Sequence, residues 1–472
     1  MIPPWGIPVS VRARSYSEQM AEQMTRDQRM VLTIAILSSF VSFLDGTVVT
    51  VALPAISRDL GGGLTTQQWV VDAYLITLGA LILVAGSLSD VLGRLVVLRI
   101  GLIGFAVTSI AIGAAPTSEF LIVMRALQGV AGALLVPSSL ALITANFRGP
   151  AQARAIGVWT AATTGAMIAG PLVGGLFVDL LSWRLVFFIN VLPIALTLFL
   201  LVRLGHPDHR REGARVDYLG AILCTVGLGG SVFALIEQSA LGWASPVIWG
   251  SMTIGLLSFA AFLLRQRFAR DPMMPLDLFR ARNFWTGNVA TAFIYGALSL
   301  NGFVLGVYLQ QGAGLPATLA GLASLPATVL MILFSSRVGA LAGKWGPRLF
   351  MTVGPIMAAG GSLLLLSIGE DFDYWWQVLP GIIVFGFGLT LTVSPLTSAI
   401  LGAIDTSRSG IASAVNNAVS RVAGLIVVAM VALIVGGSID LDGFHRAAVV
   451  TAALLAIGGV VSFLGIRNTA RA

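Results

Sequence analysis

The chain reads as an all-α integral membrane protein of fourteen transmembrane helices, two six-helix halves with a helix pair inserted between them. Three observations carry that reading. Of 472 residues, 57% are hydrophobic and 10% charged, against about 25% charged in a soluble domain. The apolar residues fall in runs of about 17–25, the length of a bilayer-crossing helix. A glycine pattern recurs between the second and third runs and again between the tenth and eleventh.

The runs predict helices near 31–54, 70–88, 96–115, 120–144, 154–178 and 185–203, then 218–237 and 246–264. Six more follow near 286–310, 317–337, 349–368, 376–401, 410–436 and 446–466. In the first run Leu53-Pro54 is expected to end the helix. The repeat compares Gly86-Ser-Leu-Ser-Asp90-Val-Leu-Gly93-Arg94 with Gly339-Ala-Leu-Ala-Gly343-Lys344-Trp-Gly346-Pro-Arg348. Equal glycine offsets, each followed by a basic turn, mark two related halves. The predicted organisation is a cytoplasmic tail at 1–30, a first half at 31–203, and an inserted pair with basic linkers at 204–285. A second half at 286–466 and a tail at 467–472 complete it. Met1–Arg29 lacks the apolar core of a signal peptide, and Met20, Met24 and Met30 are alternative starts.

Charge orients the chain. With the N-terminus inside, most Lys and Arg fall in inside segments, among them Arg94, Arg99, Arg148, Arg203, Arg265 and Arg348. Only Arg58, Arg184 and Arg446 fall outside, and Arg125 and Arg421 lie within runs. This skew places both termini in the cytoplasm. It also removes a nucleic-acid reading of the net charge of +7, because the cations alternate with the spans and do not form one patch. The one cysteine, Cys224, lies in an apolar run, so neither a disulfide nor a zinc cluster is expected. The three histidines, His206, His209 and His445, are placed in loops. No nucleophile–base set, metal-ligand cluster or phosphate loop occurs, and no enzyme is predicted.

The chemistry sits in ionisable groups inside the runs. Asp45, among small residues in Leu44-Asp45-Gly46-Thr47, costs at least about 2.5–3.5 kcal/mol at bilayer depth, which marks an ion or substrate pathway. Arg125 shares a helical face with Gln128 and Gly129. It either pairs with Asp45 or snorkels outward from a helix end. Asp72, in Trp69-Val-Val-Asp72-Ala-Tyr74, is either a working acid or a solvated residue at a helix start between interfacial aromatics. Glu237 and Gln238 read as interfacial.

Gly86, Asp90, Gly93 and Arg94 read as a conformational latch, in which the glycines admit close helix packing and Asp90 pairs with Arg94 or a helix N-terminus; an ordinary charged turn is the alternative. Gly165, Gly170, Pro171, Gly174 and Gly175 make a flat, kinked, tightly packed face. Asn301 and Tyr295 either line a cavity or pack the ninth helix. Arg421 adds a positive charge to the thirteenth.

Taken together these motifs resemble the fourteen-helix drug:proton antiporter family of the major facilitator superfamily, the EmrB/QacA-like exporters. The span-one signature is matched by Leu44-Asp45-x-Thr47-Val-Val-x-Val51-Ala52-Leu53-Pro54, and the latch by Gly86, Asp90, Gly93 and Arg94. The span-four signature is matched by Arg125, Gln128 and Gly129, and the antiporter signature by Gly165 through Gly175. A later pattern is matched by Gly410-Ile-Ala412-Ser413-Ala-Val-Asn416-Asn417. The resemblance runs from about residue 30 to 466.

It implies proton-driven export of amphiphilic or hydrophobic small molecules across a bacterial cytoplasmic membrane. The implied proton-handling residues are Asp45, Asp72 and Arg125, with the proton gradient as energy source and no cofactor. Asn417 joins Asn301, Tyr295 and Arg421 as a possible substrate contact. Partners are the small molecule, protons and the lipid bilayer, with no nucleic acid; the oligomeric state stays open, a monomer being compatible. Departures are Thr50 in place of an asparagine, Leu95 in place of a basic residue, and no Asp or Glu in the second-half spans. The last favours anionic or neutral over dicationic substrates. An importer or lipid or metabolite flippase of the same fold is the alternative. A non-transporting receptor or scaffold is a third reading, which the buried ionisable groups oppose.

Overall fold

The structure, a computed structural model, describes residues 24–204, 216–269, 272–405 and 408–468. Among them, fourteen helices are long and apolar enough to cross a membrane. The first group is α1 (Arg26–Leu60), α2 (Gly63–Leu92), α3 (Arg94–Gly113), α4 (Ser118–Asn146), α5 (Gly149–Leu180) and α6 (Val191–Leu204), the last preceded by a single turn at Leu185–Phe188. Next come α7 (Tyr218–Leu241) and α8 (Pro246–Phe268). The second group opens with α9 (Arg282–Gln311) and α10 (Leu325–Trp345, after a short helix Ala317–Leu322). It continues with α11 (Pro347–Leu364), α12 (Leu379–Leu401), α13 (Ser409–Ala429) and α14 (Leu441–Gly465).

Every predicted run is helical, but three are broken within: 185–203 at Ile189–Asn190, 317–337 at Ala323–Ser324 and 410–436 at Met430; the other differences lie at the ends. Helix α1 does not stop at Pro54 but runs through it to Leu60. The flanking Leu53 and Ile56 are fully buried, and neighbouring helices hold a proline-bearing helix together where water cannot solvate the freed carbonyl. Caps set several starts. Thr25 and Gln28 form a reciprocal capping box ahead of α1. Asp217 caps α7 through Gly220 N–H at 2.9 Å, and Asp440 caps α14 through Gly443 N–H at 2.8 Å. Since α14 opens at Leu441, His445 lies on a helix and not in a loop; its Nε2 donates to the Ile368 carbonyl at 2.9 Å. The tail at 1–23 and the basic stretch 205–215, with His206 and His209, lie outside the described residues.

The internal repeat survives in the backbone. Gly93 joins α2 to α3 at φ 99°, ψ 145°, and Gly346 joins α10 to α11 at φ 85°, ψ 154°. Both are conformations that a side chain makes costly, which is why glycine stands at each corner.

The first and last described residues lie at one end of the bundle, called proximal here. At the opposite, distal end three polar ties join the six-helix groups. Gln68 of α2 donates to the carbonyls of Val428 and Ala429 at 2.8 and 3.0 Å. Gln310 of α9 donates to the Val51 carbonyl at 3.1 Å. Asp179 of α5 accepts from the backbone N–H groups of Ala317 and Thr318 at 2.8 Å each, and from the Thr318 hydroxyl at 2.7 Å. Buried apolar side chains from both groups, such as Val49, Leu53, Leu300 and Val304, form one cluster there.

The α7–α8 pair packs through glycines. A Cβ at Gly227 would meet the Phe259 backbone at 2.9 Å, so the two helices touch backbone to backbone. Asp217 and Arg265 staple the pair at 2.6 Å. The pair is anchored to α2 through Glu237, which accepts from Trp69 Nε1 at 2.7 Å.

Candidate functional site

Asp45 sits at the convergence of several helices of the first half. It projects from α1 and is fully buried. Its Oδ2 meets Arg125 Nη1 of α4 at 2.7 Å. Its Oδ1 accepts from Asn190 Nδ2, just ahead of α6, at 3.1 Å and from Gln128 Nε2 at 3.4 Å. Arg125 is spent within the same network: Nε donates to the Val70 carbonyl at 2.9 Å and Nη1 to Gln128 Oε1 at 2.5 Å. Ser109 of α3 closes the circuit, accepting from Gln128 Nε2 at 2.8 Å and from Asn190 Nδ2 at 3.4 Å. The guanidinium also lies over the Tyr74 ring, 4.3 Å from its centroid. Arg125 therefore pairs inward and does not snorkel.

Gly129 makes this approach possible. A Cβ there would collide with the Tyr74 carbonyl and the Thr77 hydroxyl, so only glycine lets α4 lie against α2. Thr77 Oγ1 then donates across the contact to the Ala126 carbonyl at 2.7 Å. The resulting pair is dry. Removing either charge leaves the other uncompensated, which costs about 3–5 kcal/mol. Putting a proton on the carboxylate cancels the attraction without emptying the site.

Asp72 is not at a helix start. Helix α2 begins at Gly63, Asp72 is fully buried, and neither carboxyl oxygen has a hydrogen-bond partner among the described residues. Gln68, Asp72 and Gly79 share one helical face by spacing. Gln68 and Gly79 both meet α13, so Asp72 lies on the seam between the halves. Its flanking aromatics are not simple interfacial anchors: Trp69 bonds Glu237 and Tyr74 lies beneath Arg125. Glu237 is half-buried in that bond and Gln238 is buried, so neither sits free at an interface.

The Asp90 side chain lies outside the described residues, while Arg94 opens α3. Gly86 is exposed with nothing within 4 Å of a built Cβ. It does not mediate the close approach expected of it, because α2 faces open space there. The antiporter motif splits in the same way. Gly170 and Gly174 press on Thr47 and Val48 of α1, and Gly175 presses on Thr318 of the second half. Pro171, inside α5, contacts Gly321. Gly165, one turn toward the proximal end, has nothing within 4 Å, so the expected tight face covers only the distal part. The motif therefore packs closely at Gly170, Gly174 and Gly175, the last of them on the seam, while Gly165 faces open space.

In the second half, Asn416 of α13 donates to Asn288 and Thr291 of α9 at 3.2 and 2.9 Å. Asn417 is exposed. Tyr295 and Asn301 on α9 and Arg421 on α13 are half-buried, and Arg421 has no ion-pair or hydrogen-bond partner among the described residues. None of these four touches the Asp45 network.

Sequence reasoning passed over Asn190, Ser109 and Asp179. A lone amide in the apolar string Val186-Phe-Phe-Ile-Asn190-Val-Leu was the available signal for Asn190. Ser109 carried none, since small hydroxyl residues are ordinary in membrane helices.

The model of the Major Facilitator Superfamily matches residues 35–428. A puromycin resistance protein of Streptomyces alboniger is 33% identical, over 84% of this chain and 80% of its own. The multidrug resistance protein Stp of Mycobacterium tuberculosis is 34% identical, over 84% of this chain and 73% of its own. A crystal structure of a peptide transporter in complex with sulfate superposes with a TM-score of 0.69 at 15% identity, over 93% of this chain and 94% of that one, a likeness of fold. With fourteen membrane helices, matched signatures and full-length relatives of this kind, the chain belongs to the Major Facilitator Superfamily, a family of transporters, as a multi-pass protein of the cell membrane.

Proposed function

We propose that this protein is a proton-coupled secondary antiporter that exports amphiphilic or hydrophobic small molecules by alternating access. It performs no enzymatic step. The observation that carries the reading is the dry Asp45–Arg125 pair held at 2.7 Å in the middle of the first half. An acid tolerated there needs a reason, and reversible protonation is the one such a site provides. With Asp45 charged, Arg125 and its partners lock α1, α2 and α4 together. With Asp45 neutral, the lock weakens and the halves repartition between facing states. Asp72, on the seam, is proposed as a second proton-handling group.

With the arginine skew read as placing both termini in the cytoplasm, the distal ties would close the seam on its outer side. Relatives named for resistance to puromycin and to multiple drugs support export. One elementary charge moving down 100 mV supplies roughly 2.3 kcal/mol. With a pH gradient added, a substrate gradient near a hundredfold per proton follows, at about 1.4 kcal/mol per factor of ten.

The test is substrate-induced proton release from purified protein, followed by pH-gradient-driven transport in proteoliposomes. Antiport requires that substrate and protons move in opposite directions. Co-directional movement overturns it in favour of an importer.

A further inference from the structure

Arg421 lies well inside α13. It stands twelve residues after Ser409 and eight before Ala429 on α13, about 18 Å and 12 Å from the two ends at 1.5 Å per residue. Unlike Arg125, it has no ion-pair or hydrogen-bond partner among the described residues. Helices α9 to α13 contain no Asp or Glu. The acids of the first half nearest in depth are engaged or sealed: Asp45 belongs to Arg125, and Asp72 is fully buried.

Its surroundings are polar and reachable. Ser413, Asn417, Ser420 and Arg421 fall on one side of α13 by helical spacing. All four are at least partly exposed, whereas the exposed apolar residues Ile411 and Ile426 fall on another side. The arginine sits on the seam between the halves. A Cβ at Gly79 of α2 would lie 3.7 Å from Arg421 Cβ. Along α9, Thr291 meets Asn416 and Ser299 faces Gly424, which puts Tyr295 level with Arg421. A cation, a phenol and an amide thus share one depth on two neighbouring helices that carry no acid.

We propose that Arg421, with Tyr295 and Asn417, forms the subsite for the anionic group, a carboxylate or phenolate, of an otherwise apolar monoanionic substrate. This rests on the transport reading above and names the substrate class that the seam between the halves would take. A planar guanidinium offers a carboxylate two parallel donors, and the low dielectric around it raises the value of the contact. A monocation at the same place meets an uncompensated like charge. The apolar body of the ligand is left to the generic lining of the seam.

The experiment uses three isosteric probes, 2-naphthoate, 2-naphthamide and 2-naphthylmethylammonium, titrated calorimetrically into the purified full chain in neutral detergent. The wild type is expected to bind naphthoate at least about tenfold more tightly than the amide, a difference of about 1.4 kcal/mol, and the cation most weakly. Arg421→Ala and Arg421→Gln are expected to bring naphthoate to the level of the amide while leaving the amide unchanged. Arg421→Lys is expected to keep part of the preference. A wild type that does not prefer the anion, or an Arg421→Ala protein that keeps the preference, overturns the assignment. Displacement of naphthoate by added phosphatidylglycerol, with none by neutral lipid, would make a lipid headgroup the occupant and also overturn it. Failure of proton coupling registers in transport by Asp45→Asn and leaves this equilibrium selectivity untouched, so the two readings fail separately.

Discussion

Asp179, the penultimate residue of α5, caps the helix that begins at Ala317 in the opposite half of the molecule. Both carboxylate oxygens are used, on two backbone N–H groups and one hydroxyl. A cap normally belongs to the helix it precedes; here it is lent across the seam, so breaking the seam uncaps a helix. Asp179→Ala is expected to cost the closed arrangement about 1 kcal/mol, the usual value of a lost cap. That shifts the balance of facing states about fivefold. Spin-label distance distributions across the distal end should gain a longer component, and unchanged distributions would show that the tie does not hold the gate.

Asp45→Asn keeps the shape of the residue and most of its hydrogen bonds but cannot exchange a proton. The variant is expected to insert, to bind substrate and to catalyse substrate–substrate exchange. Accumulation driven by a pH gradient in proteoliposomes should fall from about a hundredfold to none. Pumping at the wild-type level would remove Asp45 from the coupling step.

Arg125→Ala is expected to be worse for stability than Asp45→Asn. It strands a carboxylate that is 0% exposed, at a cost of about 3–5 kcal/mol. Adding Asp45→Asn to Arg125→Ala should recover much of the loss, since the double variant leaves no buried charge. Thermal unfolding in detergent reads both quantities, and simple additivity of the two substitutions would mean that the pair is not coupled.

Two glycines of one motif should respond oppositely. At Gly170 a methyl group strikes Thr47, and Gly170→Ala is expected to destabilise the protein by about 1–3 kcal/mol through overpacking. At Gly165 the space is open, and Gly165→Ala should be neutral or slightly stabilising in the helix. Comparing the two melting temperatures in one buffer decides the matter.

At the proximal linker, burial pushes Asp217 up, but hydrogen bonds from Gly220, Arg265 and Gln266 outweigh it and hold the carboxyl below the usual range. A carboxyl lowered on folding contributes stability above its unfolded value, about 3.9, and loses it as pH falls through the lower folded value. The melting difference between wild type and Asp217→Asn should therefore be full at pH 7 and shrink only below about pH 4. A difference that vanished between pH 5 and 7 would assign it to another group.

The helix inventory was legible because a bilayer imposes both a length and an apolar composition on every span. The Asp45–Arg125 partnership was legible because two opposite charges in oil have few alternatives. What escaped were features fixed by three-dimensional register. Pro54 looked like a terminus because local propensity cannot see the neighbours that support α1 beyond it. Gly86 and Gly165 looked identical to Gly170 as letters, and only the tilt of the halves separates glycines under pressure from glycines facing space. Asn190 enters the site from a break between two helices, where no periodicity announces which way a side chain turns.

The inserted pair also has a consequence for motion. It is fastened to the first half through Glu237 and Trp69. Its trailing linker is fastened to the second half where Asp277 meets Arg408, at 2.6 and 3.0 Å. A strap tied to both sides of a hinge has to stretch, slip or let go whenever the hinge turns. Of its two knots the half-exposed one at the membrane surface is the easier to undo. Any rocking of the two halves therefore has to strain or release one of these two ties.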